Sequence, residues 1–557
     1  MIRDSLVEAV NATLVALGVD PVPDTVEVRR PAQPDHGDWS TNAALVTAKQ
    51  ARRPPRDLAA AVAGHLASDL PDHVRSVEVA GPGFVNFHLD DGWLHDVLTE
   101  VVSAGVDGYA RHDAGAGARV IVEFVSANPT GPIHVGNGWW CAYGDALARV
   151  LARCGWQVHR EYYVNDTGGQ IRQLGESLLA RRRGTDVPEQ GYQGAYVADL
   201  AATYRGSEDV VAAGRWAADR ILEDIRVTLD TIDIRFDEWF SQASIEESEV
   251  VAETVAILAA KGVVYDKDDA TWLRSTDFGD QRDRVLVKSN GDYTYLAGDL
   301  AYHRDKLVVR GFDRAIDIFG ADHHGQVASL FAGIEALGIA PDRLEIRLGQ
   351  MISLVTHPVP ADVGTDPAGT GAAVEAPMSK RSGNFVRLSD LVDDIGADAT
   401  RLLTLMSSID QATTIDLDAV RRQSMDNPVY YVQYAHARIA SVGRVAGERG
   451  VTRRPLEQVD LALLGHQREL DVLRSLAELP DVVLAACLTR APHKVATWVL
   501  ELAGRFHGFY HDCSILGPVG ADVDPDLTQA RLWLVEATRV GLAVALDLLG
   551  VSAPESM

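Results

Sequence analysis

Basic residues are in short supply in this chain. Its 52 lysines and arginines face 79 aspartates and glutamates, a formal net charge of −27. Phosphate binding draws on Lys and Arg, so this balance argues weakly against a nucleic-acid partner. A local basic track on an acidic body is still allowed. Cysteine is also scarce: Cys141, Cys154, Cys487 and Cys513 form no C-x-x-C pair, which makes a zinc site an unfavoured reading. A chain of 557 residues does not need disulfides to fold, and both points fit a reducing cytoplasm. No apolar run reaches the ~20 residues needed to cross a bilayer. The first segment, MIRDSLVEAVNATLVALG, carries Asp4 and Glu8 within its apolar pattern and reads as an amphipathic helix, not a signal peptide. What remains is an ordinary globular composition, 46% hydrophobic and 24% charged. At roughly 150 residues per domain, the length suggests three or four domains.

The chain divides into three stretches of different character. Residues 1–105 read as a small α/β unit, with TVEVRRP as a short strand and VRSVEVAGPGFVNFHL as two strands around a Gly-Pro-Gly turn. Residues 106–395 read as a doubly wound α/β domain. It opens with RVIVEFVSA, apolar enough for a buried parallel strand, then the turn NPTGPIHVGN, the helix GWWCAYGDALARVLARCGW and the strand HREYYVND. A helical insertion is expected at about 172–260. Beyond it, ATWLR, DRVLVKS, YTYLAGDLAYH, AIDIFGADHH and LEIRLGQMISL read as a return to strands. Residues 357–376, rich in Gly, Pro, Ala and Asp, read as a loop. Residues 396–557 are helical in pattern almost throughout.

Two short elements carry chemistry. His134-Val135-Gly136-Asn137 lies between the buried strand and the next helix, where backbone N–H groups and the helix dipole favour an anion. Gly136 would let a phosphate approach closely, and His134 could donate to it. Alone, this could equally be an ordinary turn histidine. Met378-Ser379-Lys380-Arg381-Ser382-Gly383-Asn384 follows the Gly/Pro-rich stretch. Lys380 there could neutralise charge on departing pyrophosphate. Alone, it could be a solvated basic turn.

Together the two elements resemble the paired HIGH and KMSKS signatures of class I aminoacyl-tRNA synthetases, and the chain is most similar to the arginyl-tRNA synthetases. EFVSANPTGPIHVG (123–136), REYYVNDTGGQI (160–171), YTYLAGDLAYHRDK (293–306), FGADHHGQV (319–327), MSKRSGNFV (378–386), NPVYYVQYAHAR (427–438) and the closing LLGVSAPESM carry the resemblance. It implies a Rossmann-like catalytic domain with a helical insertion, a small N-terminal α/β domain that contacts tRNA and an all-α C-terminal anticodon-binding domain. It implies a ligase: arginine attacks the ATP α-phosphate to give arginyl-adenylate, and the arginyl group passes to the 3′ end of tRNA(Arg). ATP would bind at His134, Gly136, Asn137, Met378, Ser379 and Lys380, with His134 and Lys380 catalytic. Mg²⁺ would come with the ATP phosphates, since no protein metal cluster is evident. A cytoplasmic monomer without a membrane partner is expected.

A pocket for guanidinium should offer carboxylate and hydroxyl acceptors. Tyr295 and Asp299 would share one helix face if YLAGD is helical, and the resemblance assigns them to the substrate guanidinium. Asp299 could instead cap the helix that follows. By resemblance Ser126 and Asn128 hold the arginine backbone groups, Glu123 adds negative charge and Gln326 lies near the substrate amino group. Turn chemistry before Pro129 is the rival for Ser126 and Asn128. His323-His324 suggests a metal, but no third ligand is apparent. Tyr430, Tyr431 and Tyr434 could stack on bases or face a core, and Arg421, Arg422, Arg438 and Arg444 could touch phosphate. Three residues depart from the family pattern: Asn137 ends the first signature in place of histidine, Trp139 stands close to a common arginine, and Pro377 replaces the first lysine of the second. The retained His134, Tyr295, Asp299 and Lys380 favour an enzyme over a non-catalytic binding relative.

Overall fold

The computed structural model describes residues 2–31, 33, 36–246, 249–350, 352–356, 374–375, 378–379, 384–416, 427–517 and 524–557. The chain forms two compact units. One comprises Met1–Tyr109, Ile439–Glu478 and Gly504–Gly541; the other comprises Ala110–Arg438, Leu479–Ala503 and Leu542–Met557.

In the first unit, helix α1 (Ile2–Ala16) precedes β1 (Val28–Arg29), β2 (Trp39–Thr41), α2 (Ala43–Ala51), α3 (Pro55–Ser68), β3 (Val74–Ala80), β4 (Phe84–Leu89) and α4 (Gly92–Gly108). The strands pair antiparallel in the order β1-β2-β4-β3. Leu6, Val10 and Leu14 recur at one-turn spacing on α1 and are fully buried, as are Leu58 and Val62 of α3. The predicted Gly-Pro-Gly turn joins β3 to β4, and Gly81 and Gly83 both take positive φ there.

The second unit is built on β5 (Arg119–Glu123), α5 (Val135–Gly138), α6 (Cys141–Arg153), β6 (Gln157–Val164), α7 (Gly168–Arg183), α8 (Ala195–Thr203), α9 (Val210–Thr231), β7 (Glu238–Ser241), α10 (Gln242–Glu246) and α11 (Val250–Ala260). An antiparallel trio follows, β8 (Val264–Lys267), β9 (Ala270–Leu273) and β10 (Arg284–Val287), then α12 (Tyr295–Arg304), β11 (Arg314–Gly320), α13 (His324–Ala336) and β12 (Leu344–Gly349). Five strands pair parallel in the order β12-β11-β5-β6-β7. Strand order therefore reverses between β5 and β11, and ligands of such sheets bind beyond the carboxyl ends of the strands at that point. Val120, Ile121 and Val122 are fully buried, as the apolar run RVIVE predicts for the centre of a parallel sheet.

Two expectations need correction. YTYLAGDLAYH is a helix, not a strand: α12 starts at Tyr295, where the Thr294 hydroxyl accepts from Ala297 N–H and caps the first turn. Residues 172–260 are not helical throughout, because β7 is the edge strand of the main sheet. At four residues it is too short to show a period against its helical surroundings.

The chain continues through β13 (Ile352–Thr356), β14 (Val374–Glu375), β15 (Met378–Ser379), β16 (Asn384–Phe385), α14 (Leu388–Ile395), α15 (Ala397–Leu405) and β17 (Thr413–Asp416). It ends in α16 (Pro428–Glu448), α17 (Gln467–Thr489), α18 (His493–Asp512) and α19 (Pro525–Leu549), the predicted helical C-terminus. Among the described residues no helix is long and apolar enough to cross a membrane.

Candidate active site

Register places four carboxylates in one row across the sheet. Asp317 of β11 is level with Glu123 of β5, Glu123 with Glu161 of β6, and Glu161 with Glu238 of β7. Neighbours in such a row lie about 5 Å apart, so four acids would repel one another strongly without cations between them. The cations come from α12 and the π-helical turn Asp305–Val309 that continues it. Lys306, fully buried, places Nζ 2.5 Å from Glu123 and 3.0 Å from Asp317. Arg310 Nη2 lies 2.5 Å from Glu161 and 2.8 Å from Glu238. Tyr302 Oη lies 2.6 Å from Glu161, to which its one proton goes, and 3.0 Å from Glu123. His303 Nε2 bonds Asp317 at 2.6 Å.

These partners divide the acids by charge state. Burial pushes Glu161 and Asp317 up, but for Glu161 its neighbours His159, Arg310, Lys306 and Tyr302 outweigh it, and for Asp317 Lys306 and His303 do; both are held down at about 2. Burial raises the Glu123 carboxyl further than Lys306 lowers it. Asp299 stands one helical turn before His303. Burial pushes its carboxyl up to about 6, and nearby His303 and His323 only partly offset this. Among the described residues, no side chain hydrogen-bonds the Asp299 carboxylate.

The end of β5 reverses sharply. Val125 and Ser126 both take positive φ, 68° and 38°, a strained conformation for two non-glycine residues in a row. The reversal turns the Ser126 hydroxyl back to donate to Glu123 (3.0 Å) and to accept from Tyr163 N–H (3.1 Å). Asn128 donates to Gln170 of α7 at 3.0 Å. Glu123, Ser126 and Asp299 therefore gather at the carboxyl end of the central strand. Tyr295, at the first position of α12, is 78% exposed, and Gln326, in the first turn of α13, is also exposed. The helix-capping role considered for Asp299 falls to Thr294.

His134 precedes the single turn α5, which contains Gly136 and Asn137. The residues just past the second signature return to this point: Val135 N–H donates to Val386 O at 3.0 Å and Leu388 N–H to Ile133 O at 2.9 Å, making His134 and Arg387 a bridge pair. Met378 and Ser379 pair antiparallel with Phe385 and Asn384. Lys380, Pro377, Arg421 and Arg422 lie outside the described residues, as does the side chain of Asn137. Trp139 is 2% exposed and belongs to the core. Tyr430 and Tyr434 stack 5.8 Å apart, and the Arg438 guanidinium lies over Tyr434 at 4.4 Å. All three are only partly buried, an arrangement intermediate between base platform and core.

His159, Glu161 and Glu238 bring ligand atoms within 4.8 Å of one another, close enough for a metal. Arg310 already bonds all three, His159 at 3.2 Å included, so a guanidinium fills that place. His323 and His324 gain no third ligand among the described residues.

This site sits on a chain whose whole length matches one family. The model described as arginyl tRNA synthetase N terminal domain matches residues 1–89. That for the class I (R) catalytic domain matches 100–216 and 206–440, and the DALR anticodon binding domain matches 432–557. An arginine–tRNA ligase of Frankia alni is 45% identical over 100% of this chain and 99% of its own. The chain belongs to the arginyl-tRNA synthetase family. A second ligase of that name, from Carboxydothermus hydrogenoformans, is 42% identical over 95% of this chain and 94% of its own. The fold matches the Thermus thermophilus arginyl-tRNA synthetase with a TM-score of 0.76 at 22% identity, covering 100% of both chains. The three-part architecture expected of an arginyl-tRNA synthetase is thus present: a parallel sheet with helices, an N-terminal α/β domain and a helical DALR domain.

Proposed function

We propose that this arginine–tRNA ligase activates arginine at the carboxyl edge of β5, with Asp299 and Tyr295 on the substrate guanidinium. Asp299 carries the reading. It is a partly buried carboxylate that burial raises to about 6, it lacks a hydrogen-bonding side chain among the described residues, and it lies where carboxylates outnumber cations. A guanidinium supplies the missing charge and donors together. Glu123 and Ser126, tied to each other, fix the edge of the pocket. Ser126 and Asn128 hold the arginine backbone groups, and Gln326 lies at the amino group. His134, Gly136 and Asn137 take the ATP phosphates, and Met378, Ser379 and Lys380 meet them from the second signature. Mg²⁺ arrives on those phosphates and neutralises their charge when bound. Residues 1–105 contact tRNA, 106–395 carry out catalysis, and 396–557 read the anticodon of tRNA(Arg). The enzyme works as a cytoplasmic monomer.

The test is Asp299→Ala, assayed for charging with radiolabelled arginine. Losing a buried charge partner of this kind costs about 3 kcal/mol, or roughly a hundredfold in arginine kcat/KM. The circular dichroism of the variant should match the parent. Normal charging by that variant would remove Asp299 from the pocket.

A further inference from the structure

Both ring nitrogens of His303 face oxygen acceptors. Nδ1 lies 2.7 Å from the Asp299 backbone carbonyl and Nε2 lies 2.6 Å from Asp317 Oδ2. A carbonyl oxygen has no proton to give, so Nδ1 must be the donor. Asp317 has its other oxygen 3.0 Å from the Lys306 ammonium, which keeps it ionised and makes it an acceptor too. A neutral imidazole has one N–H and could satisfy only one of these contacts. The ring is 3% exposed, so water cannot stand in for the second.

We infer that His303 is a permanent imidazolium whose charge and bond to the Asp299 carbonyl position Asp299 and set the affinity for arginine. This rests on the reading that Asp299 binds the substrate guanidinium. His303 is a positioning residue: it reaches the substrate only through Asp299. The ionisable groups around it are Asp317 from β11, Lys306 from the π-helical turn, Glu123 from β5 beyond that lysine, and Asp299 and Tyr302 on its own helix. Burial opposes the charge, and Asp317 outweighs burial. The imidazolium in turn favours the ionised form of Asp299, whose carboxyl would otherwise stand higher still. Without it, less of Asp299 is charged at neutral pH, and arginine binds more weakly while the bound complex reacts as before.

Two measurements test this on the full-length enzyme. In protein labelled with ¹⁵N-histidine, which has 17 histidines, His303→Gln identifies the His303 ring signals by their loss. Asp317→Asn, which removes the carboxylate charge, identifies them by their shift should His303→Gln not fold. Both nitrogens should carry protons throughout the range from about pH 6 to about pH 8, in which an ordinary histidine titrates. A neutral ring near pH 7.5 would overturn the inference. In steady-state charging at about pH 6, His303→Gln should raise the arginine KM about fivefold, the loss of ionised Asp299 that a rise of about one pKa unit from about 6 gives, with the effect shrinking towards about pH 8 and kcat within about twofold. Its acid limb in kcat/KM should also move to higher pH. An unchanged KM, or a loss confined to kcat, would refute the positioning role. Asp299→Asn separates the two readings: if its arginine KM is normal, the guanidinium assignment fails, while the ring signals still decide the charge of His303.

Discussion

Replacing Lys306 with methionine puts the carboxylate row under direct strain. Methionine keeps much of the length and apolar volume of lysine and removes the charge. Lys306 is fully buried, 2.5 Å from Glu123 and 3.0 Å from Asp317. Deleting one partner of a buried ion pair destabilises by about 3–5 kcal/mol, because the remaining charge is left uncompensated. Asp317 keeps His303, so the unmet charge falls mainly on Glu123. Burial already holds that carboxyl above its ordinary range, and Lys306 opposes the shift. In the variant it should rise further and take up a proton. A carboxyl with a raised folded-state pKa stabilises the fold below that pKa, and the contribution is lost as pH rises through it. The deficit of the variant relative to the parent should therefore be smallest near about pH 5 and largest near about pH 8. Urea unfolding followed by circular dichroism across this range reads the difference. A deficit under about 1 kcal/mol at pH 8, or one independent of pH, would refute the view that Lys306 holds the row together.

Three further outcomes follow from the site. Lys380→Ala should lower the adenylation rate about 10²–10³-fold in single-turnover assays while arginine affinity changes little; equal losses would argue against a transition-state role. If Asp299 holds the guanidinium as proposed, it must be ionised to do so, and arginine kcat/KM should fall as pH drops through about 6; a profile flat to about pH 5 would contradict its assignment. A Cβ at Gly333 of α13 would sit 2.3 Å from Leu300 Cδ2, next to Asp299 on α12. Gly333→Ala should cost about 1–3 kcal/mol by overpacking and raise the arginine KM several-fold, measured by thermal unfolding and charging.

The sequence disclosed local features well. The opening strand–turn–helix–strand could be read from RVIVEFVSA onward because its apolar run is buried on both faces. Tyr295 and Asp299 could be set on one helix because their spacing is helical, whereas their assignment to the guanidinium came from the family resemblance. The carboxylate row could not be read in the same way. Glu123, Glu161, Glu238 and Asp317 lie on separate strands, and only the sheet register brings them level. A signal existed on α12 and the π-helical turn that continues it, where Asp299, Tyr302, His303 and Lys306 recur at three- and four-residue intervals. Charged residues at that spacing read first as a solvated face, and only burial reveals otherwise. The short β7 was masked by helices on either side, and the strand reading of YTYLAGDLAYH followed its aromatic residues past the cap at Thr294.

The contact between the two signature segments has an evolutionary consequence. Val135 and Leu388 donate, and Val386 and Ile133 accept, entirely through the main chain. A lock made of side chains would bind the alignment of the signatures to particular amino acids. A main-chain latch does not depend on them, and the substitution that cuts it is proline at a donor position, which lacks the N–H. Signature residues are thereby free to drift one at a time without the two segments losing their shared alignment.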